Sequence, residues 1–362
     1  MSAHDTDAPV LIMAGGTGGH IFPGIAVGGE LRARGVPVVW LGGQHGLEQT
    51  LVPAAGFPLE TLAFGGVRGK GLATRLMALP RLGIALLAAR RLLRRLRPRS
   101  VLALGGYAAA PGGLAARTVG LPLVVHEQNR VPGMTNRLLA RHATRVLSGF
   151  ADAFADARAE WVGNPVRVAI ADLPAPERRL AGREGALRIL VLGGSQGAQS
   201  LNGQLPAVFS RRGGHRAFEV RHQCGAAHVE ATRRLYATAG IEATVDAFID
   251  DMASAYAWAD LAICRSGALT IAELCAAGVP AILVPFPHAV DDHQTCNAEA
   301  MTNAGAARLL PEGDGFLSRL GVAIDELTAQ RGQLVAMAVA ARRLARPDAA
   351  RRIADVCLEV AA

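Results

Sequence analysis

Three short stretches set glycine beside hydroxyl, amide or imidazole groups: GGTGGH (Gly15–His20), GGYAAAPGG (Gly105–Gly113) and GGSQGA (Gly193–Ala198). A glycine-rich turn from a strand into a helix lets backbone N–H groups approach an anion, and the helix dipole favours negative charge there. Phosphate is therefore the first chemistry to test. A P-loop needs G-x-x-x-x-G-K-[ST], and the single lysine, Lys70, lies in no such loop. The dinucleotide fingerprint G-x-G-x-x-G fails because Ile21 stands where its third glycine belongs. Nor does the run VVWLGGQHG end in the acid that would hold a nicotinamide ribose, so an NAD oxidoreductase is disfavoured. One such loop is an ordinary tight turn; three with these flanking residues point to a ligand.

The elements that must carry these loops are short apolar runs alternating with longer amphipathic ones. VLIM is followed by IAVGGELRAR, VVWL by GLEQTLVPAA, and SVLALGG, LPLVVHE, RILVLGG, LAICRSG and PAILVPF continue the series. That alternation predicts βαβ units and a parallel sheet covered on both faces. The opening pattern returns in RILVLGGSQGAQSLNGQL (Arg188–Leu205), about half a chain later. The expectation is an α/β protein of two Rossmann-like domains, with the glycine loops at the carboxyl ends of strands lining a cleft between them. The break falls at Trp161–Pro165, giving a first domain over 1–165 and a second over 166–344. A last helix over 345–362 is expected to pack back on the first domain.

At 362 residues the chain suits two domains of average size. The start, MSAHDTDAPV, carries acids and no apolar core, so no secretory signal is expected, and no run approaches a membrane-spanning length of roughly 18 apolar residues. Five cysteines without C-x-x-C spacing argue for a reducing cytoplasm and against a disulfide frame or zinc site. The net charge of +8 is local. Between Glu60 and Glu127 there is no acid, while eleven basic residues run from Arg68 to Arg117.

GGTGGHIFPG, GGYAAAPGG, HEQN, VGNPVR, GGSQGA and CRSGALTIAE occur in this order. Together they resemble the MurG family of bacterial glycosyltransferases over nearly the whole chain. The resemblance implies the GT-B architecture and an enzyme of peptidoglycan synthesis, cell-wall biogenesis, cell shape and division. It implies transfer of N-acetylglucosamine from UDP-N-acetylglucosamine to lipid I, an undecaprenyl-diphosphate muramyl peptide, giving lipid II. The donor would be held by the second domain, and the acceptor by the first at the cytoplasmic side of the inner membrane. No cofactor is implied.

Site residues follow from those motifs. In CRSGALTIAE the free N–H groups of Ala268, Leu269 and Thr270 can face a diphosphate at a helix start, with Ile271 and Ala272 continuing that turn. Glu273 can accept both hydroxyls of a ribose, the role the resemblance gives it. The same correspondence puts Ser195 and Arg167 on the diphosphate, Asn129 and Gln294 on the sugar, and uracil on the backbone of Ile249. Thr17, Gly18 and Gly19 would reach the donor sugar across the cleft. His20 starts a helix, where the dipole disfavours a cation and leaves a neutral ring available as general base, or else as a phosphate contact; His126 and Glu127 are rivals for the base. Asp291 and Asp292 are adjacent, yet no D-x-D occurs beyond the tail's Asp5-Thr6-Asp7, so no metal is assigned.

The basic block also mixes Leu72, Leu76, Met77, Leu79, Leu82, Ile84, Leu86 and Leu87 with arginines. Residues 68–99 are therefore expected to meet an anionic membrane surface, although a buried leucine face with a solvated arginine face would read the same way. A nucleic-acid partner is not expected, because no aromatics interleave with the arginines of Arg90–Arg99. A sugar-nucleotide epimerase shares the two-domain plan and the donor, and it remains the alternative among enzymes.

Overall fold

The computed structural model describes residues 8–64, 78–154, 159–194, 197–214, 217–329 and 331–361. The chain divides into two compact units, one running to Val166 and including Arg346–Ala362, the other Arg167–Ala345.

The first unit is built on seven parallel strands: β1 (Val10–Ala14), β2 (Val38–Gly43), β3 (Leu59–Leu62), β4 (Ser100–Gly105), β5 (Leu123–Glu127), β6 (Arg145–Ser148) and β7 (Ala159–Trp161). Their order is β3-β2-β1-β4-β5-β6-β7, with Ile12 paired to Trp40 on one side and Leu102 on the other. Alternate residues of β1 feed two cores. Val10, Ile12 and Ala14 pack with Ile21 and Val27 of the helix Gly18–Ala33, whereas Leu11 and Met13 pack with Ala89 and Leu93 of the helix Ala78–Leu96. A strand buried on both faces has to be apolar throughout, which is why VLIMA shows no alternation. The helix Ala349–Glu359 adds Ile353, Val356 and Cys357 to the first of those cores. Ser100 Oγ donates to the Cys357 carbonyl at 2.7 Å, and Arg34 pairs with Asp355 at 2.6 Å.

The second unit has six parallel strands: β8 (Leu187–Leu192), β9 (Phe218–Gln223), β10 (Ala243–Asp246), β11 (Leu261–Cys264), β12 (Ala281–Leu283) and β13 (Ala307–Leu309). Their order is β10-β9-β8-β11-β12-β13, the doubly wound arrangement in which the chain reverses direction between its first and fourth strands. That reversal opens a crevice beyond the carboxyl ends of β8 and β11, as it does beyond β1 and β4 in the first unit. Both crevices are bordered by glycine turns. Among the described residues no helix is long and apolar enough to cross a membrane.

Candidate active site

In the second unit β11 ends at Cys264 and Arg265-Ser266-Gly267 turns into the helix Ala268–Ala277. Gly267 caps that helix with extended backbone, and the first-turn N–H groups of Ala268, Leu269 and Thr270 lack acceptors inside it. Ile271 does not share this property, because its N–H is already bonded to the Gly267 carbonyl at 3.0 Å and its side chain is buried. Ala272 follows on the half-buried side of the helix.

One turn further, Glu273 meets Arg167, the residue that caps the short helix Val168–Ala171. Nη2 and Nε of Arg167 donate to Oε1 of Glu273 at 2.8 and 3.2 Å. The other carboxylate oxygen accepts from the Tyr256 hydroxyl at 3.1 Å. Tyr256 is fully buried, and burial together with the Glu273 carboxylate pushes its phenol well above the usual range, so it stays a donor. Neither pairing carries a local sequence signal, since 106 and 17 positions separate the partners.

Ile249 lies on the loop between β10 and the helix Met252–Trp258, and its N–H donates to Oε1 of Gln223 at 3.0 Å. Gln223, buried at the end of β9, is thus a second residue that sequence reasoning passed over. Gln294, near the start of the helix His293–Asn303, accepts the Phe286 N–H through Oε1 at 2.9 Å. Asp291 and Asp292, just before it, both sit in left-handed backbone at φ 53° and 48°. That conformation is strained for residues other than glycine. Arg265 fastens the same region from below, bonding the carbonyls of Val284 and Pro285 at 3.1 and 3.0 Å and pairing with Glu312 at 2.6 Å. Ser195 lies outside the described residues.

In the first unit Thr17 caps the helix Gly18–Ala33, and its carbonyl accepts the N–H groups of His20 and Ile21 at 3.1 and 3.3 Å. Thr17 and Gly19 are exposed; Gly18 and His20 are half-buried. Nδ1 of His20 lies 3.2 Å from the Gly15 carbonyl and 3.5 Å from the Thr17 hydroxyl; because a carbonyl only accepts, a proton on Nδ1 would satisfy the closer contact and leave Nε2 as the acceptor.

The rivals for the base are engaged elsewhere. His126 is fully buried, with Nε2 donating to the Gly163 carbonyl at 2.9 Å and Nδ1 accepting from Gln128 at 3.1 Å; burial pushes its pKa down to about 4. Glu127 is also buried, and its oxygens accept from the Asn129 N–H at 2.9 Å, the Asn129 amide at 3.2 Å, the Gly133 N–H at 3.0 Å and the Asn136 amide at 2.9 Å. Glu127 therefore shapes the loop that presents Asn129, and neither rival turns a lone pair to solvent.

Residues 10–148 match the glycosyltransferase family 28 N-terminal domain, and residues 188–353 match the family's C-terminal domain. A Xanthomonas axonopodis pv. citri protein is 56% identical over 98% of this chain and 82% of its own length. Its name is UDP-N-acetylglucosamine--N-acetylmuramyl-(pentapeptide) pyrophosphoryl-undecaprenol N-acetylglucosamine transferase. The chain belongs to glycosyltransferase family 28. A Xylella fastidiosa (strain Temecula1 / ATCC 700964) family member of the same name is 57% identical over 97% of this chain and 96% of its own length. The crystal structure of Acinetobacter baumannii MurG superposes with a TM-score of 0.83 at 38% identity, covering 97% of this chain and 99% of that one. Within the family, the two parallel-sheet units are therefore those of the GT-B architecture.

Proposed function

We propose that this family 28 enzyme transfers N-acetylglucosamine from UDP-N-acetylglucosamine to the C4 hydroxyl of the muramyl sugar of lipid I, giving lipid II for peptidoglycan synthesis. The observation that carries the reading is the group formed by Glu273, Arg167 and the open N–H groups of Ala268, Leu269 and Thr270 at a helix start. It sets an acceptor for ribose hydroxyls beside donors for a diphosphate. The reaction is a single inverting displacement. As UDP departs, charge builds on its diphosphate, and fixed dipoles aimed there lower the barrier; one such donor is worth about 3 kcal/mol in comparable anion holes. Ser195 would add a hydroxyl to the same diphosphate, and Ile249, supported by Gln223, would face the uracil.

The remaining roles fall to the amides and the histidine. In the second unit Gln294 offers an amide to the donor sugar; in the first unit Asn129 offers an amide, and Thr17, Gly18 and Gly19 a backbone turn, to a sugar. Nε2 of His20 takes the proton of the attacking hydroxyl. No step calls for a metal or a cofactor.

We also assign the enzyme to the inner-membrane surface on the cytoplasmic side. The helix Ala78–Leu96 supports this, for Ile84 and Leu87 are exposed at 69% and 54% beside the exposed Arg81, Arg91 and Arg94. Apolar side chains among headgroups with arginines at anionic lipid are the features of an interfacial helix. Residues 68–77 of the basic block lie outside the described residues.

Radiolabelled UDP-N-acetylglucosamine incubated with a lipid I analogue tests the reaction, beside a Glu273→Ala control. Label passing to the lipid, and lost in the control, supports both reaction and donor site. An isomerised sugar nucleotide with no lipid product would establish an epimerase instead.

A further inference from the structure

Glu48 opens the helix Glu48–Ala54, yet it is only 2% exposed and no cation pairs with it among the described residues. Its partners are two backbone amides. Oε1 accepts from the Gly43 N–H and Oε2 from the Gly16 N–H, each at 3.0 Å. The space it fills is cut from glycine: a Cβ on Gly15 would stand 2.6 Å from Oε1, and one on Gly46 would collide with Oε2. A buried carboxylate without a cation is costly unless its hydrogen bonds are fully made, so this cage holds the first glycine turn to one geometry.

That turn leads directly to His20. The Gly16 N–H and the Gly15 carbonyl belong to one peptide group, and the carbonyl is the acceptor of His20 Nδ1 at 3.2 Å. Carboxylate, peptide and imidazole are thus linked in line, each hydrogen bond polarising the next. On the far side of the ring a Cβ on Gly105 would stand 2.9 Å from Nε2, so glycine keeps the space beside that nitrogen open.

We propose that Glu48 is a positioning residue for the transfer reaction: through the Gly15–Gly16 peptide it fixes the Nδ1–H tautomer of His20 and strengthens Nε2 as a proton acceptor. The peptide passes on what a carboxylate bonded directly to a catalytic imidazole supplies elsewhere. The proposal rests on the reading of His20 as base.

Long-range 1H–15N spectra of the histidine rings, with His20 assigned by its loss in His20→Ala, read the tautomer directly. Wild-type enzyme is expected to hold His20 in the Nδ1–H form at a pH where the ring is neutral. Glu48→Gln presents an NH2 to one of the two amides, and should shift His20 to a mixture of tautomers. It should also lower kcat roughly tenfold to a hundredfold, with KM for UDP-N-acetylglucosamine nearly unchanged. An Nε2–H form in wild-type enzyme would overturn the proposal without any variant. So would a Glu48→Gln enzyme that loses thermal stability while its His20 signals and kcat stay in place. If His20→Ala keeps wild-type kcat, the base reading fails, and the tautomer spectra still decide whether Glu48 governs the ring.

Discussion

Arg167 and Glu273 neutralise each other, with Nη2 2.8 Å from Oε1 while the Tyr256 hydroxyl holds Oε2 at 3.1 Å. The arginine is half exposed, and an ion pair of that kind is worth about 0–1 kcal/mol. A diphosphate can therefore draw the guanidinium away at little cost, whereas Glu273 stays anchored by a buried phenol. Glu273→Ala removes the hydroxyl acceptor and strands Tyr256, and should weaken UDP binding by about a hundredfold, near 3 kcal/mol. Tyr256→Phe should weaken it by about tenfold. Calorimetric titration with UDP reads both, and wild-type affinity in Glu273→Ala would remove the donor site from this helix.

Gln223 carries the second prediction. Its side-chain oxygen fixes the Ile249 N–H, so Gln223→Ala should leave the Ile249 loop slack and its amide free. KM for UDP-N-acetylglucosamine should rise about tenfold with kcat little changed, as expected when an interaction serves ground state and transition state alike. Discrimination between UDP and CDP as competing inhibitors should narrow in the same variant. Unchanged selectivity would detach base recognition from this loop.

These two residues show where reading the sequence stops. The sheets were legible because strands buried on both faces must be apolar throughout, and VLIMA and RILVL are. The helix start at Ala268 was legible because Ser-Gly before an apolar periodic run is a local signal. Tyr256, Gln223 and Glu48 gave no such signal, since each has a partner that only the folded chain brings near. Glu48 reads as one more acid on an amphipathic helix, and the two amides it holds belong to glycines 5 and 32 positions away. Ile271, next in the same turn, has its N–H closed by the Gly267 carbonyl, as helix geometry requires one full turn after the cap.

The proposed membrane attachment uses the exposed face of Ala78–Leu96. Inserting a leucine or isoleucine side chain completely is worth roughly 1.5–3 kcal/mol, and each arginine near anionic lipid about 1 kcal/mol. The double variant Ile84→Ser, Leu87→Ser should therefore lower partitioning into phosphatidylglycerol vesicles by at least about tenfold. Arg91→Gln with Arg94→Gln should do so chiefly at low salt. Transfer to a short-chain, water-soluble lipid I analogue should survive in both, because neither change touches the proposed site. Vesicle sedimentation checks the first expectation, and equal binding by wild-type and Ile84/Leu87 variant enzymes would move the attachment surface elsewhere.

Acid sensitivity follows from two histidines, one in each unit. Burial pushes His126 down to about 4 and His222 down to about 3, against an ordinary value near 6.5. His222 lies among neutral partners, the Tyr236 hydroxyl at 2.9 Å and the Asn202 amide oxygen at 3.0 Å, so nothing there rewards a proton. Both groups have folded values below their unfolded ones, so the unfolded chain binds more protons and stability rises with pH. Their full contribution is present above about pH 6.5 and is lost as pH falls towards 4 for His126 and 3 for His222. At pH 5 the loss is on the order of 2 kcal/mol for each unit. Glu160 is held below the usual carboxylate range by Arg352 and then Arg145, so its contribution is lost only in more acid solution. Urea denaturation at pH 7.5 and pH 5 thus isolates the histidines. Lower midpoints at pH 5, with net proton uptake on unfolding, are expected; coincident midpoints would mean that these rings are already protonated in the native protein.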